Sequence, residues 1–337
     1  MAFSIFLKSR YRSSFVFALL FLFLGCSSPE PDIRSTGQYR FTEEFVVTAD
    51  LSDDGTKSVI VTDFPHISVW DNHSHALIAR WNADLLGVVP LFVSISYDNR
   101  QLLVTGETQV VLLDIEQNAE VGRWPIASIV DDKKVTSAGY FMRGQLFALG
   151  LNDGSVIVAD INDGVFKKAY LHESNVTHLV VDEFGQYLYT AAHDGAVNKV
   201  SLADLEVVQT RQFEHRLSSL NLDNDFGRLF ISDTLDEQVV VDSQSLKTVG
   251  TLDYFERWRW FREALFVENS RFLITASSKT GMSLWNIETG EQVGFWDAKV
   301  YSFASHVSKM TINKDNQLVT LTNDAVVEFW DYAAALR

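Results

Sequence analysis

From about residue 38 onward the chain alternates apolar and polar positions in short runs, as in Ser58-Val-Ile-Val-Thr62, Gln186-Tyr-Leu-Tyr-Thr190 and Arg271-Phe-Leu-Ile-Thr275. Gly, Asn and Asp lie between the runs. A period of two bounded by turn residues predicts short antiparallel strands joined by hairpins. Tight-turn pairs recur: Asp54-Gly55, Asp98-Asn99, Arg143-Gly144, Phe184-Gly185, Phe226-Gly227, Asn269-Ser270 and Asp315-Asn316. Each is followed 14 or 15 residues later by a second landmark, at Trp70, Leu113, Ala159, Val200, Val241, Trp285 and Trp330. Successive landmarks lie 43, 46, 41, 41, 44 and 45 residues apart, which makes the pattern a repeat.

Four short strands in roughly 40 to 45 residues is the content of one propeller blade. The spacing therefore predicts an all-β, seven-bladed β-propeller over residues 38–337, each blade a four-stranded antiparallel sheet. The seventh unit reaches Arg337 soon after its third strand, so the segment Gln38-Tyr-Arg-Phe-Thr-Glu43 is expected to supply its fourth and close the ring. Trp81, Trp124, Tyr170 and Trp296 each fall 11 residues after their landmark, and a large aromatic at one repeat position is expected to pack between neighbouring sheets.

Ile67-Ser-Val-Trp70-Asp71, Met282-Ser-Leu-Trp285-Asn286 and Val327-Glu-Phe-Trp330-Asp331 resemble the third-strand ending of the WD-repeat family. The stretch from His172 through Phe184-Gly185 to Ala192-His-Asp194-Gly-Ala196 is similar to a full repeat of that family. The resemblance implies a buried hydrogen-bonded network of His, Ser or Thr, Asp and Trp within a blade. Unit four keeps His172 and Asp194 but has Val200 in place of the tryptophan. In unit seven the implied set is His306, Thr320 or Thr322, Asp324 and Trp330.

At the N-terminus, Lys8, Arg10 and Arg12 precede a mostly apolar run from Phe15 to Leu24, closed by Gly25 and the chain's single cysteine, Cys26. Basic, apolar and small residues in that order are those of a secretory signal. Phe23-Leu24-Gly25-Cys26 resembles the lipobox of bacterial lipoproteins, which implies cleavage between Gly25 and Cys26 and acylation of Cys26; Phe23 departs from the usual leucine. Residues 1–25 are thus expected to be the signal peptide and residues 26–37, polar and proline-bearing, an acylated tether. Ser27 after the cysteine implies sorting to the periplasmic face of the outer membrane in a Gram-negative cell.

The formal charge of -16 argues against nucleic acid and anionic lipid as partners. No nucleophile elbow, phosphate-binding glycine loop or zinc-protease helix motif occurs. No cofactor, metal or catalytic residue is assigned. His73 and His75 lack a clear third ligand, and Asp223-Asn-Asp225 lacks the glutamate of a calcium loop, with Asp233 at that place; both read as turns. One stretch breaks the repeat's character: Tyr254-Phe255-Glu-Arg257-Trp258-Arg259-Trp260-Phe-Arg262 mixes aromatics with arginines, the composition of an interaction hot spot or of a structural ladder. The expected function is a non-catalytic platform for another envelope protein, carried by a monomeric propeller. The alternatives are an assembly factor of the outer-membrane barrel-insertion type, a lactonase-like propeller hydrolase and a glycan-binding protein.

Overall fold

The computed structural model describes residues 33–337 except Arg143, Phe255 and residues 257–259. The proposed signal, Cys26 and most of the tether lie outside the described residues. Within them the chain forms seven sheets of four antiparallel strands each. The first strands of successive blades pack against one another, and that of blade seven packs against that of blade one, so the sheets form a closed ring.

Every predicted first hairpin turn contains a residue with positive φ: Gly55, Asn99, Gly144, Gly185, Gly227, Asn269 and Asn316. That conformation is open to glycine at no steric cost and tolerable for asparagine, so the turn residues set the strand boundaries. The landmark residues all fall at or next to the end of a third strand, as at Trp70 in His66–Asp71 and Trp285 in Gly281–Asn286. The Asp223 carboxylate accepts the Asp225 N–H at 3.0 Å, an Asx turn rather than a calcium loop.

Apolar residues from both faces of each sheet fill the gaps between blades. Val59, Val61, Ile67 and Val69 of blade one share a cluster with Leu102, Val104, Val111 and Leu113 of blade two, all almost fully buried. Three of the four recurring aromatics take part as expected. Trp81 and Trp296 are buried, and Trp124 lies 5.9 Å from Phe147. Tyr170 does not: it stands exposed on the outer strand Phe166–Tyr170.

The closing strand is Ser35–Arg40, paired antiparallel with Val326–Trp330 at the edge of blade seven. It begins three residues earlier than Gln38. The strand is mostly exposed and carries no apolar alternation that would mark its start; its buried anchors flank it, at Ile33 and Phe41. Tyr39 stacks on His75 at 3.9 Å and His73 stacks on Phe329 at 5.5 Å, so the His73 to His75 turn of blade one leans on the closing sheet.

Candidate functional site

In six blades the first strand carries a bulge at its start, where register shifts between Val46 and Thr48, Val135 and Ser137, Val176 and His178, Leu217 and Ser219, Phe261 and Glu263, and Val307 and Lys309. A bulge leaves one residue unpaired and re-aims its neighbours. Because these strands are innermost, the bulges place polar side chains around the axis. They line a channel of about 580 Å³, well within the range of small-molecule sites.

His178, Glu263 and Lys309 line the throat, and Arg216, Arg262, His193, His306 and Trp260 surround the mouth. Lys309 Nζ lies 3.5 Å from a Glu263 carboxylate oxygen; the lysine side chain keeps 45 % of its surface accessible and the glutamate 19 %. These groups are enclosed by strands yet open to solvent along the axis. Glu263, helped by Asp50, holds Lys309 protonated above the usual lysine range despite its burial.

Asp50 of blade one is buried behind this pair and accepts the Ile95 N–H of blade two at 2.9 Å. Burial lifts its carboxyl to about 6, against the opposing pull of Lys309. His178 is displaced the other way: burial, then Lys309 and His193, bring it down to about 4. The linkage signs follow. A carboxyl raised on folding favours the folded state most below pH 4, and that contribution is lost as pH rises towards 6. A histidine lowered on folding costs stability as pH falls from 6.5 towards 4. The two slopes oppose each other in one window. Asp50→Asn keeps the acceptor and removes the buried charge. It is therefore expected to be more stable than wild type by up to about 3 kcal/mol at pH 8 and equal to it near pH 4. Urea unfolding at the two pH values checks this, and a gain independent of pH would contradict it.

The network implied for unit four is present. His172 Nδ1 lies 3.2 Å from the Asp194 carboxylate and Nε2 lies 2.7 Å from Thr190 Oγ1. Asp194 also accepts the Glu173 and Ala196 N–H groups, each at 2.9 Å. Burial holds His172 below its usual range against the pull of Asp194. This network ties the loop entering blade four to that blade's second hairpin. Trp285 and Trp330 donate their indole N–H groups to Thr275 and Thr320, at 2.8 and 3.1 Å.

His306 does not join Asp324 as the resemblance implied. Ser305 Oγ and the N–H groups of Tyr301 and Ser302 bond the Asp324 carboxylate, while His306 Nδ1 lies 3.3 Å from the Ala304 carbonyl and its ring lines the channel mouth. The irregular loop before blade seven shifts the serine into the histidine's place. Trp70 is half-buried beside Phe41, ring centres 5.3 Å apart. Asp71 caps the turn after it, accepting from the His73 and Ser74 N–H groups. Asp331 lies 3.3 Å from Arg337.

Of the interaction candidates, Phe255, Arg257, Trp258 and Arg259 lie outside the described residues. Trp260 is half-buried at the channel mouth, its carbonyl accepting the Ser278 N–H at 2.7 Å. A second depression of about 620 Å³ lies between blades three and four. Its lysine, Lys167, is committed to the Ala203 carbonyl at 2.8 Å. Among the described residues one trio, His215, Asp233 and Asp236, has metal-ligand spacing, with ligand atoms within 4.8 Å of one another. Asp233 Oδ1 accepts three successive backbone N–H groups there, of Leu235, Asp236 and Glu237, and forms the turn, while its Oδ2 is buried without a hydrogen-bond partner among the described residues.

The channel cluster was not singled out from sequence. Its signal was in the repeat column two residues into the six bulged first strands, which reads Thr48, Ser137, His178, Ser219, Glu263 and Lys309.

No family model matches the chain. A curated protein from Saccharomyces cerevisiae, U3 small nucleolar RNA-associated protein 21, is similar to it, 27% identical over 184 residues. The match covers 52% of this chain and 18% of that protein, so the likeness concerns a fraction of the relative. Seven four-stranded blades, a closing N-terminal strand, and a His172, Thr190 and Asp194 network make this a WD-repeat-like seven-bladed propeller with a charged axial channel.

Proposed function

We propose that this propeller is a non-catalytic protein-interaction platform, held by an acylated Cys26 at the periplasmic face of an outer membrane. The observation that supports it is an arc of exposed apolar side chains on one face. In an antiparallel four-stranded blade, the loops between blades and the second hairpins emerge on the same side. Phe303 before blade seven, Phe45 and Phe64 of blade one, and Leu85 and Val89 before blade two all lie in such loops. Phe303 is fully exposed and Leu85 is 88 % exposed. Leu85 is held out by a single helical turn, Ala83–Leu86, capped by the Asn82 side chain and ended by Gly87 in the left-handed conformation. The opposite face exposes Tyr97, Val165, Phe184 and Phe226, but the residues of this arc are on the whole more exposed, and a contiguous apolar arc marks a surface that another protein covers.

The partner in this reading is an envelope protein, because Leu24-Gly25-Cys26 resembles a lipobox, whose owners are exported. A photo-crosslinking residue at Phe303 or Phe64 is expected to capture the same single protein from membrane fractions, and one at Phe184 or Tyr97 on the opposite face none. With Cys26→Ser the propeller and that product should leave the membrane fraction. Capture from the opposite face alone, or propeller that stays in the membrane fraction without Cys26, overturns the corresponding half of this reading.

A further inference from the structure

Two guanidinium groups at the channel mouth have no hydrogen-bond partner among the described residues: Arg216, just before the first strand of blade five, and Arg262, at the bulge in Phe261–Val267 of blade six. Both are exposed. Below them Lys309 has one ion-pair partner, Glu263. His178, His193 and His306 complete the wall. Three cations thus line the channel with one carboxylate, Glu263, while Asp50 and Asp53 act on Lys309 from behind the wall, inside a chain whose formal charge is -16. The imidazoles register that field. After burial, which is the larger cause for each, Arg216 lowers His193, Arg262 lowers His306, and Lys309 lowers His178.

A cleft lined by one sign of charge concentrates counter-ions, and low-dielectric walls strengthen the effect. A guanidinium presents two parallel donors that match a carboxylate or phosphate edge, whereas an ammonium acts as a point charge. A neutral imidazole carries one N–H; His306 gives its own to the Ala304 carbonyl and His178 to Thr177 Oγ1, which leaves His193 as the imidazole donor. With cations contributed by blades five, six and seven, a ligand carrying one charge satisfies one of them, and a ligand carrying several satisfies them together. We propose that the mouth of the axial channel is a binding site for a small polyanion, an organic di- or tricarboxylate or a phosphate ester, held between Arg216 and Arg262 and directed towards Lys309. The half-buried Trp260 forms one side of the entrance. The enclosed volume of about 580 Å³ admits a molecule of that class and excludes a folded domain. This site is independent of the protein-docking arc and stands or falls separately from it.

Isothermal titration of the full chain, purified in detergent at 150 mM salt, with citrate in one series and tripolyphosphate in another, tests the proposal. Saturable binding of one probe is expected, and which one distinguishes the carboxylate from the phosphate class. Arg216→Gln and Arg262→Gln should each weaken it about tenfold, the loss of one charge-assisted contact. The double variant should lose about a hundredfold or more, while Arg100→Gln, in a hairpin on the opposite face, should change nothing. Arg216→Lys and Arg262→Lys should each give intermediate affinity, because charge is kept and the fork is lost. Thermal melting confirms that each variant is folded. Absence of binding by both probes, or a folded double variant that binds as wild type does, overturns the site.

Discussion

Deleting residues 33–41 from the full chain is expected to lower the melting temperature by on the order of 10 °C and to promote self-association relative to wild type. The segment contains the closing strand Ser35–Arg40 and its two buried anchors, Ile33 and Phe41. Without it the third strand of blade seven, Val326–Trp330, presents an unpaired edge of N–H and C=O groups. Trp70 also loses its tilted ring contact with Phe41, and His75 its stacking partner Tyr39. The deleted strand is mostly exposed, so its own burial contributes little. What the fold loses is ring closure and the cover over the blade-seven edge. Phe41→Ala isolates the anchor and should cost about 3 kcal/mol, the lower range for a buried phenylalanine. Differential scanning calorimetry with size-exclusion chromatography checks both variants. An unaltered melting curve and elution volume after the deletion would rule out closure by this strand.

Ring closure was legible because a count of strands left one missing, yet its start was not. Blade number and hairpin positions were also readable, since Gly and Asn in the left-handed conformation fix each first turn and a period of two survives between them. Other features depended on contacts that periodicity does not record. Tyr170 shares the sequence spacing of Trp81 and Trp296 but not their register: those two pair with Ile67 and Met282 across a bulge, whereas blade three lacks that bulge, so Tyr170 pairs one residue earlier, with Ser155, and turns to the other face. Ser305 replaces His306 at Asp324 because an irregular loop has no register to read. The channel cluster joins Arg216, Arg262 and Lys309 across a stretch of the sequence in which nothing marks them as neighbours. Only the closed ring brings them to one axis.

Gly154→Ala is expected to be the most damaging single substitution at a hairpin glycine, costing about 4 kcal/mol or more. Gly154 sits in the second hairpin of blade three at φ +87°, and a Cβ built there would overlap the His172 backbone carbonyl. Its own carbonyl accepts the N–H groups of Leu171 and His172, both at 3.1 Å. The turn cannot move without displacing that loop, and the loop holds the His172 ring on Thr190 and Asp194. The left-handed conformation alone accounts for about 1 to 2 kcal/mol when a side chain is added. Gly164 isolates that part: it has φ +66° in an exposed turn, with open space where a Cβ would go. Gly164→Ala should therefore cost about 1 kcal/mol. Urea denaturation of the two variants beside wild type separates strain from collision. Equal losses would mean that the His172 loop yields freely and that blades three and four are not locked together at this point. A large excess for Gly154 would show that a glycine missed by the sequence motifs holds the network the motifs describe.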